Sequence, residues 1–332
     1  MIVCSNDINR IDVSQWTYLI RENDTATFFQ TPECYHFYAS LSFLKPFVYA
    51  VSENDKLVGV MCGYIIADGN VVKQFFSRRA IVPGGLLLHT GISTSALKSL
   101  LNEATTQLKS KAIYLEIRNY NDYSVFRPII ETTGFVYNAH LNFHVATPDV
   151  ESALKKLNVT KRRDVKLSRN EGADWIETKD PDDVNEYYEI LHDLYLTKVK
   201  TPLFPREFFE KLVQLDNGKL FVIKYKNKVI GGSVCVALPG IALYEWFVCG
   251  LDGQIKNVFP STIATYAAIE YAAGNGFQRF DMMGAGKPDE AYGVREFKSK
   301  FGGELLEQGR FLYVLKPRLF KLGKWMVKKM KG

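Results

Sequence analysis

No two of the five cysteines in this 332-residue sequence stand close together: Cys4, Cys34, Cys62, Cys235 and Cys249 form no paired motif. A cysteine framework or a clustered thiolate metal site is therefore not expected, and the thiols read as reduced, small apolar groups. His140 and His144 could share one strand face but have no partnered Cys or carboxylate motif, so no metal is predicted. No apolar run approaches the ~20 residues that a bilayer crossing needs. Met1 to Trp16 mixes Asn, Asp and Arg instead of placing basic residues before an apolar core, so no signal peptide is expected and the expected location is cytoplasmic. An even spread of positive charge is missing as well. The net charge is +6, yet Lys316, Arg318, Lys321, Lys324, Lys328, Lys329 and Lys331 all lie in a C-terminal stretch with no acidic residue, which leaves the rest of the chain close to neutral.

What is present is a globular composition, 47% hydrophobic and 13% aromatic, long enough for two domains of the usual size of about 100 to 200 residues. The expected division is 1–150, 151–315 and a basic tail 316–332. In the first part, Thr31-Pro32-Glu33 reads as a helix start, Phe47 to Val51 and Leu57 to Ile66 as a hairpin turning at Asn54-Asp55, Val71 to Phe76 as a further β-rich run, and Ser93 to Leu108 as an amphipathic helix. A strand at 113–117, a helix at 122–133 and a strand at 136–146 follow. The second part restates this order. Asp180-Pro181 caps a helix, Pro205 starts another, and the hairpin from Lys219 to Leu238 turns at Lys226-Asn227-Lys228. Strand 241–249, helix 261–274 and strand 277–283 complete the echo at a spacing of about 170 residues, roughly one domain length.

Two stretches carry chemistry. Residues 151–170 form a basic connector with Lys155, Lys156, Lys161, Arg162, Arg163, Lys166 and Arg169 against Glu151 and Asp164, a pattern suited to a solvated helix or to attracting phosphates. Gly293-Val294-Arg295-Glu296-Phe297-Lys298-Ser299-Lys300-Phe301-Gly302-Gly303 is a basic, aromatic helix closed by two glycines and followed by the apolar strand 310–315. Such a corner can hold a lysine against the end of a sheet, where a compact ammonium stabilises developing negative charge. Val125-Phe126-Arg127 leads through Gly134-Phe135 toward a strand in the same way, so the corner occurs twice.

Hairpin, strand, helix, strand, helix, strand, written twice, resembles the tandem acyltransferase-like (GNAT-type) fold of the Fem-type peptidyltransferases. The resemblance runs from about Thr31 to Val314. It is carried by Ser77-Arg78-Arg79-Ala80-Ile81-Val82-Pro83-Gly84-Gly85, Tyr114-Leu115-Glu116-Ile117-Arg118-Asn119, Arg162-Arg163, Phe280-Asp281-Met282-Met283-Gly284 and Phe297-Lys298. It implies an α+β chain of two GNAT-like domains, each a mixed, mostly antiparallel sheet flanked by helices. It also implies transfer of an aminoacyl group from aminoacyl-tRNA to an amine of a peptidoglycan precursor, without a bound cofactor. In that family the Phe-Lys pair is implicated in catalysis, which makes Lys298 the catalytic candidate, stabilising the oxyanion, and Phe297, Tyr292, Arg295, Arg162, Arg163 and Arg79 the substrate-binding candidates.

Two departures qualify the match. Residues 181–215 hold two ordinary helices where several family members carry a long helical-hairpin arm. Neither copy has the Gln/Arg-x-x-Gly-x-Gly/Ala loop that seats the pyrophosphate of acyl-CoA at a helix N-terminus. An acyl-CoA- or acyl-carrier-dependent N-acyltransferase of polysaccharide or lipid metabolism and a non-catalytic GNAT-like binding protein are the alternatives. In the tail, Leu319, Leu322, Met326 and Met330 fall on one helical stripe and Lys321, Lys324, Lys328 and Lys331 on the opposite face, which suits either an anionic membrane surface or packing on the protein.

Overall fold

The computed structural model describes residues 1–69, 74 and 76–331, with side chains described through residue 325. The strand expected over 71–76 therefore falls mostly outside the described residues. Two compact units emerge, one of residues 1–140 with 307–332 and the other of residues 141–306.

The first unit is built on strands β1 (Ile2–Ser5), β2 (Lys45–Glu53), β3 (Lys56–Ile66), β4 (Arg79–Gly84), β5 (Leu87–Leu88), β6 (Tyr114–Asn119) and β7 (Val136–Asn138). The second has β8 (Leu141–Ala146), β9 (Asp174–Glu177), β10 (Gly218–Tyr225), β11 (Lys228–Leu238), β12 (Ala242–Gly250), β13 (Arg279–Asp281) and β14 (Glu304–Glu307). The last strand, β15 (Arg310–Val314), returns to the first sheet, whose order is β1-β2-β3-β4-β6-β15-β7 with β5 on β3; the second sheet runs β14-β8-β13-β12-β11-β10-β9.

Each sheet is mostly antiparallel and contains a parallel pair, β4 with β6 in the first and β12 with β13 in the second. The two hairpins predicted from the sequence are present and alike. Asn54 and Asp55 in one, Lys226 and Asn227 in the other, take positive φ, the two-residue turn that matches strand twist. Both hairpins carry a bulge next to the turn, at Val51/Ser52 and at Ile223/Lys224.

The expected boundaries at 150 and 315 differ from these units, and so does the single strand expected over 136–146. That stretch is two strands in different sheets: β7 pairs with β15 at one edge of the first sheet, while β8 joins β13 and β14 in the second. The strand expected to close the second domain lies instead between β6 and β7 of the first. Each half thus completes its sheet with a strand from the other half of the sequence. Local pattern cannot reveal this, because β8 and β15 have the same alternation in either sheet and pairing partners are chosen by tertiary contacts.

Helix Thr94–Leu108, capped by Ser93 onto the Ala96 N–H, places Ala96, Leu97, Leu100, Leu101, Ala104 and Leu108 in the first core. Helix Pro260–Gly274 is apolar all round and buries Ile263, Ala264, Ala267 and Ala268 in the second.

Candidate functional site

In the second unit β12 and β13 run together for three pairs, Ala242 with Arg279, Leu243 with Phe280 and Tyr244 with Asp281, and then part. The chain after Asp281 follows β8 instead: Met282 donates its N–H to the Phe143 carbonyl at 3.1 Å and Ala285 donates to Leu141 at 2.7 Å. The turn needs Met283 at φ 52° and Gly284 at φ 114°. Buried Asp281 holds it in shape, accepting from the Met283 N–H at 2.7 Å, from Asn142 Nδ2 at 2.8 Å and from His144 Nε2 at 2.9 Å. Asn142 Oδ1 in turn accepts from the Gly284 N–H at 2.7 Å.

This framework points the carbonyls of Met282 and Gly284 at one ammonium. Lys298, only 9% exposed, donates to the Met282 carbonyl and to the Gly284 carbonyl, the latter at 2.9 Å. It is delivered there by helix Gly293–Lys298, which continues as a tighter turn through Phe301 and ends at Gly302. Only glycine fits that stop: φ is 79° and a Cβ would lie 2.4 Å from the Lys156 carbonyl oxygen. Burial lowers the Lys298 pKa, and the charges of Glu245 and Asp281 oppose that shift. Glu245 is the first residue past the point where β12 and β13 part. It is buried, accepts from Ser233 Oγ at 3.3 Å, and has its pKa raised by burial against the pull of Lys298.

A second buried lysine sits beside the first. Lys161, 9% exposed, donates to Thr262 Oγ1 at 2.6 Å and lies 4.3 Å from the Phe297 ring centroid and 5.6 Å from that of Phe301. Burial lowers its pKa, with Asp164 and Asp252 acting in the opposite sense. It occupies the inward face of helix Val159–Asn170 together with Asp164, Val165 and Ser168.

The structure thus brings Phe297 and Lys298 together with Lys161, Glu245 and Asp281. Tyr292 caps the same helix, half-exposed, with its ring against Gly286. The Arg295 guanidinium is taken up by backbone: it donates to the carbonyls of Ala285 at 2.9 Å, Pro288 at 3.3 Å, and Lys287 and Glu290 at 2.5 Å each. Arg162 donates to the Lys155 carbonyl at 2.9 Å, and exposed Arg163 lies 3.5 Å from Asp164. Arg79 belongs to the first unit, where Asp68 binds it bidentately at 2.6 and 3.2 Å.

The sequence pattern did not place Lys161, Glu245, Asp281, Asn142 and His144 around Lys298. Lys161 was signalled by its spacing, since 161, 164, 165 and 168 form one inward stripe. His140 and His144, weighed together as strand neighbours, go separate ways, His140 to Arg310 in the first unit and His144 to Asp281 in the second.

Residues 155–299 match the family model described as an acetyltransferase (GNAT) domain. Among solved structures the chain is similar to FemX, at 14% identity and a TM-score of 0.72, covering 94% of this chain and 98% of that one. It is also similar to a tandem GNAT protein from the clavulanic acid biosynthesis pathway, at 10% identity and a TM-score of 0.59, with 95% and 99% covered. A third likeness is to the C-terminal domain of a putative lysylphosphatidylglycerol synthetase from Agrobacterium fabrum, at 11% identity and a TM-score of 0.60, with 95% and 96% covered. No curated protein sequence matches the chain. The fold is that of a tandem GNAT protein. Among such folds it is similar to that of FemX.

Proposed function

We propose that the chain is a transferase that moves an aminoacyl or acyl group from an ester or thioester donor to an amine of a cell-envelope precursor, a peptidoglycan precursor in the first instance. The observation that carries the reading is the seating of Lys298. An ammonium has three donors. Two are directed at the Met282 and Gly284 carbonyls, and the third has no hydrogen-bond partner among the described residues. Attack of the amine on the donor carbonyl forms a C–N bond and a tetrahedral oxyanion. A buried, preoriented N–H aimed at that oxygen stabilises it far more than water-exposed lysine would. The oxyanion then collapses, the C–O or C–S bond of the donor breaks, and the proton lost by the amine ends on the leaving group.

In this proposal Phe297 shapes the donor channel and Tyr292 borders it. Arg295 acts by holding the 285–290 loop, since its donors already face backbone carbonyls. Arg162, Arg163 and Arg79 are assigned to anionic parts of the substrates, aminoacyl-tRNA or another acyl donor on one side and the precursor on the other. An extended donor chain would lie where β12 and β13 part, past Tyr244. The test is a panel of charged tRNAs, acyl-CoAs and nucleotide-linked muropeptides read first by ligand-induced thermal shift and then by transfer. Lys298→Ala should lower transfer by on the order of a hundredfold or more while the fold survives; full activity in that variant would remove Lys298 from catalysis.

A specific observation also favours a place at an anionic membrane surface for the tail. In helix Pro317–Lys331, Leu322 is exposed and Trp325 is 59% exposed, side by side with lysines.

A further inference from the structure

Where β6 and β15 pair, the face of the first sheet that points away from the core beneath helix Thr94–Leu108 carries charged side chains. On β6 the core-facing residues are Leu115 and Ile117, so Glu116 and Arg118 project from the other side, and on β15 Arg310 does the same. Arg118 and Arg310 stand directly opposite each other across the β6–β15 ladder. Like charges in that relation repel, and here one carboxylate bridges them: Arg118 Nε donates to Glu116 Oε2 at 2.7 Å and Arg310 Nη1 donates to Glu116 Oε1 at 3.3 Å. The other Arg310 contact is to His140, with Nη2 donating to Nε2 at 2.8 Å, so that imidazole is neutral at this contact and brings no negative charge.

Two fixed cations therefore share a single anion. Glu116 stays ionised and supplies only one negative charge: burial opposes that charge, but Arg118 and Arg310 hold its pKa down at about 2. The site is also open, with 33% of the Arg118 side chain and 28% of the Arg310 side chain exposed. The terminal nitrogens of Arg118 make no hydrogen bond among the described residues. The hydroxyls of Tyr64 and Tyr120 lie near enough to Arg118 to act on its charge.

We propose that Arg118 and Arg310 form a binding site for a ligand oxyanion, a phosphate or a carboxylate, on this face of the first unit. The unspent fork of Arg118 accepts the anion bidentately, Arg310 supplies the second cation, and Glu116 competes with the ligand for both. The site exists only because β15, from the far end of the sequence, is paired with β6. It is independent of the transfer reaction proposed for the second unit, and its test does not use that reaction.

Purified full-length protein is titrated with pyrophosphate and, separately, with succinate, followed by calorimetry and thermal shift. Saturable binding of one of them that weakens with added salt is expected, and whichever binds more tightly identifies a phosphate or a carboxylate ligand. Arg118→Met should bind about tenfold or more weakly, equivalent to about 1.4 kcal/mol, and Lys298→Ala should bind as wild type. Glu116→Gln should bind more tightly than wild type, a gain that partial unfolding cannot imitate. The proposal is overturned if neither anion binds saturably, if Arg118→Met leaves binding unchanged, if Glu116→Gln weakens it, or if Lys298→Ala removes it.

Discussion

The ammonium of Lys161 lies 4.3 Å from the centroid of the Phe297 ring, with Phe301 flanking the same cation and the two rings 5.1 Å apart. A residue of the basic connector thereby touches the aromatic member of the Phe297-Lys298 pair, within one unit, at a sequence separation that no local pattern reports. The contact makes Phe297 a support for a buried charge, in addition to the channel role proposed for it. A double-mutant cycle of Lys161→Met and Phe297→Leu should give a coupling of about 0.5 to 2 kcal/mol in denaturant unfolding. Additive effects would mean that the ring and the cation are neighbours without interaction.

Lys298 and Glu245 set the expected pH behaviour. Burial lowers the Lys298 pKa below the ordinary lysine value, so in the window between the two the unfolded chain binds more protons and stability rises with pH. Below that window the buried charge costs stability in full. Lys298→Met should therefore flatten the rise in stability toward the ordinary lysine range, about pH 10.4, though not abolish it, because the Lys161 pKa is lowered as well. Glu245→Gln removes a negative neighbour that raises the Lys298 pKa, so the alkaline limb of the transfer profile should move to lower pH. A limb that stays in place would separate Glu245 from the chemistry.

Arg295 is expected to act through the loop it ties down. Arg295→Ala frees four backbone carbonyls between Ala285 and Glu290, and amide hydrogen exchange over 285–290 should quicken. The cost in global stability should be on the order of 1.5 to 3 kcal/mol, that of a hydrogen-bonded charged group. Arg295→Lys should fail to restore protection, since an ammonium cannot span the carbonyls that the planar fork reaches. Restored protection with lysine would leave only the charge as the relevant feature.

The tail divides at about residue 321. Phe320 meets the Tyr114 ring edge-on at 5.5 Å, so the first turn is part of the first unit. Truncation after residue 321 should keep the melting temperature within a few degrees and abolish sedimentation with anionic liposomes at low salt. Loss of the folded state on that truncation, or no liposome binding by the full chain, would assign the tail to packing alone.

Much of the architecture was legible in the residues. Asn54-Asp55 and Lys226-Asn227 announce their hairpins because a two-residue turn with positive φ suits few residue types, and the helices at 94–108 and 181–194 carry their own caps and apolar spacing. These are short-range effects, decided within a turn or two of chain. The Phe297-Lys298 corner was visible for the same reason, since its helix and its glycine stop are local.

Tertiary structure alone decided what surrounds that corner. Asn142 and His144 reach Asp281, and Arg310 reaches Arg118, only through the exchange of β8 and β15 between the two sheets. A strand's alternation states which side chains share a face and is silent on which strand lies beside it. Charge counting is equally silent on burial: Lys161 and Lys298 each belong to a basic run, yet both are inside, because Thr262, aromatic rings and the Met282 and Gly284 carbonyls meet them there. The sequence by itself determined the repeated elements, their turns and the order of the motifs. Which cations lost their water was decided by the long-range packing that surrounds them.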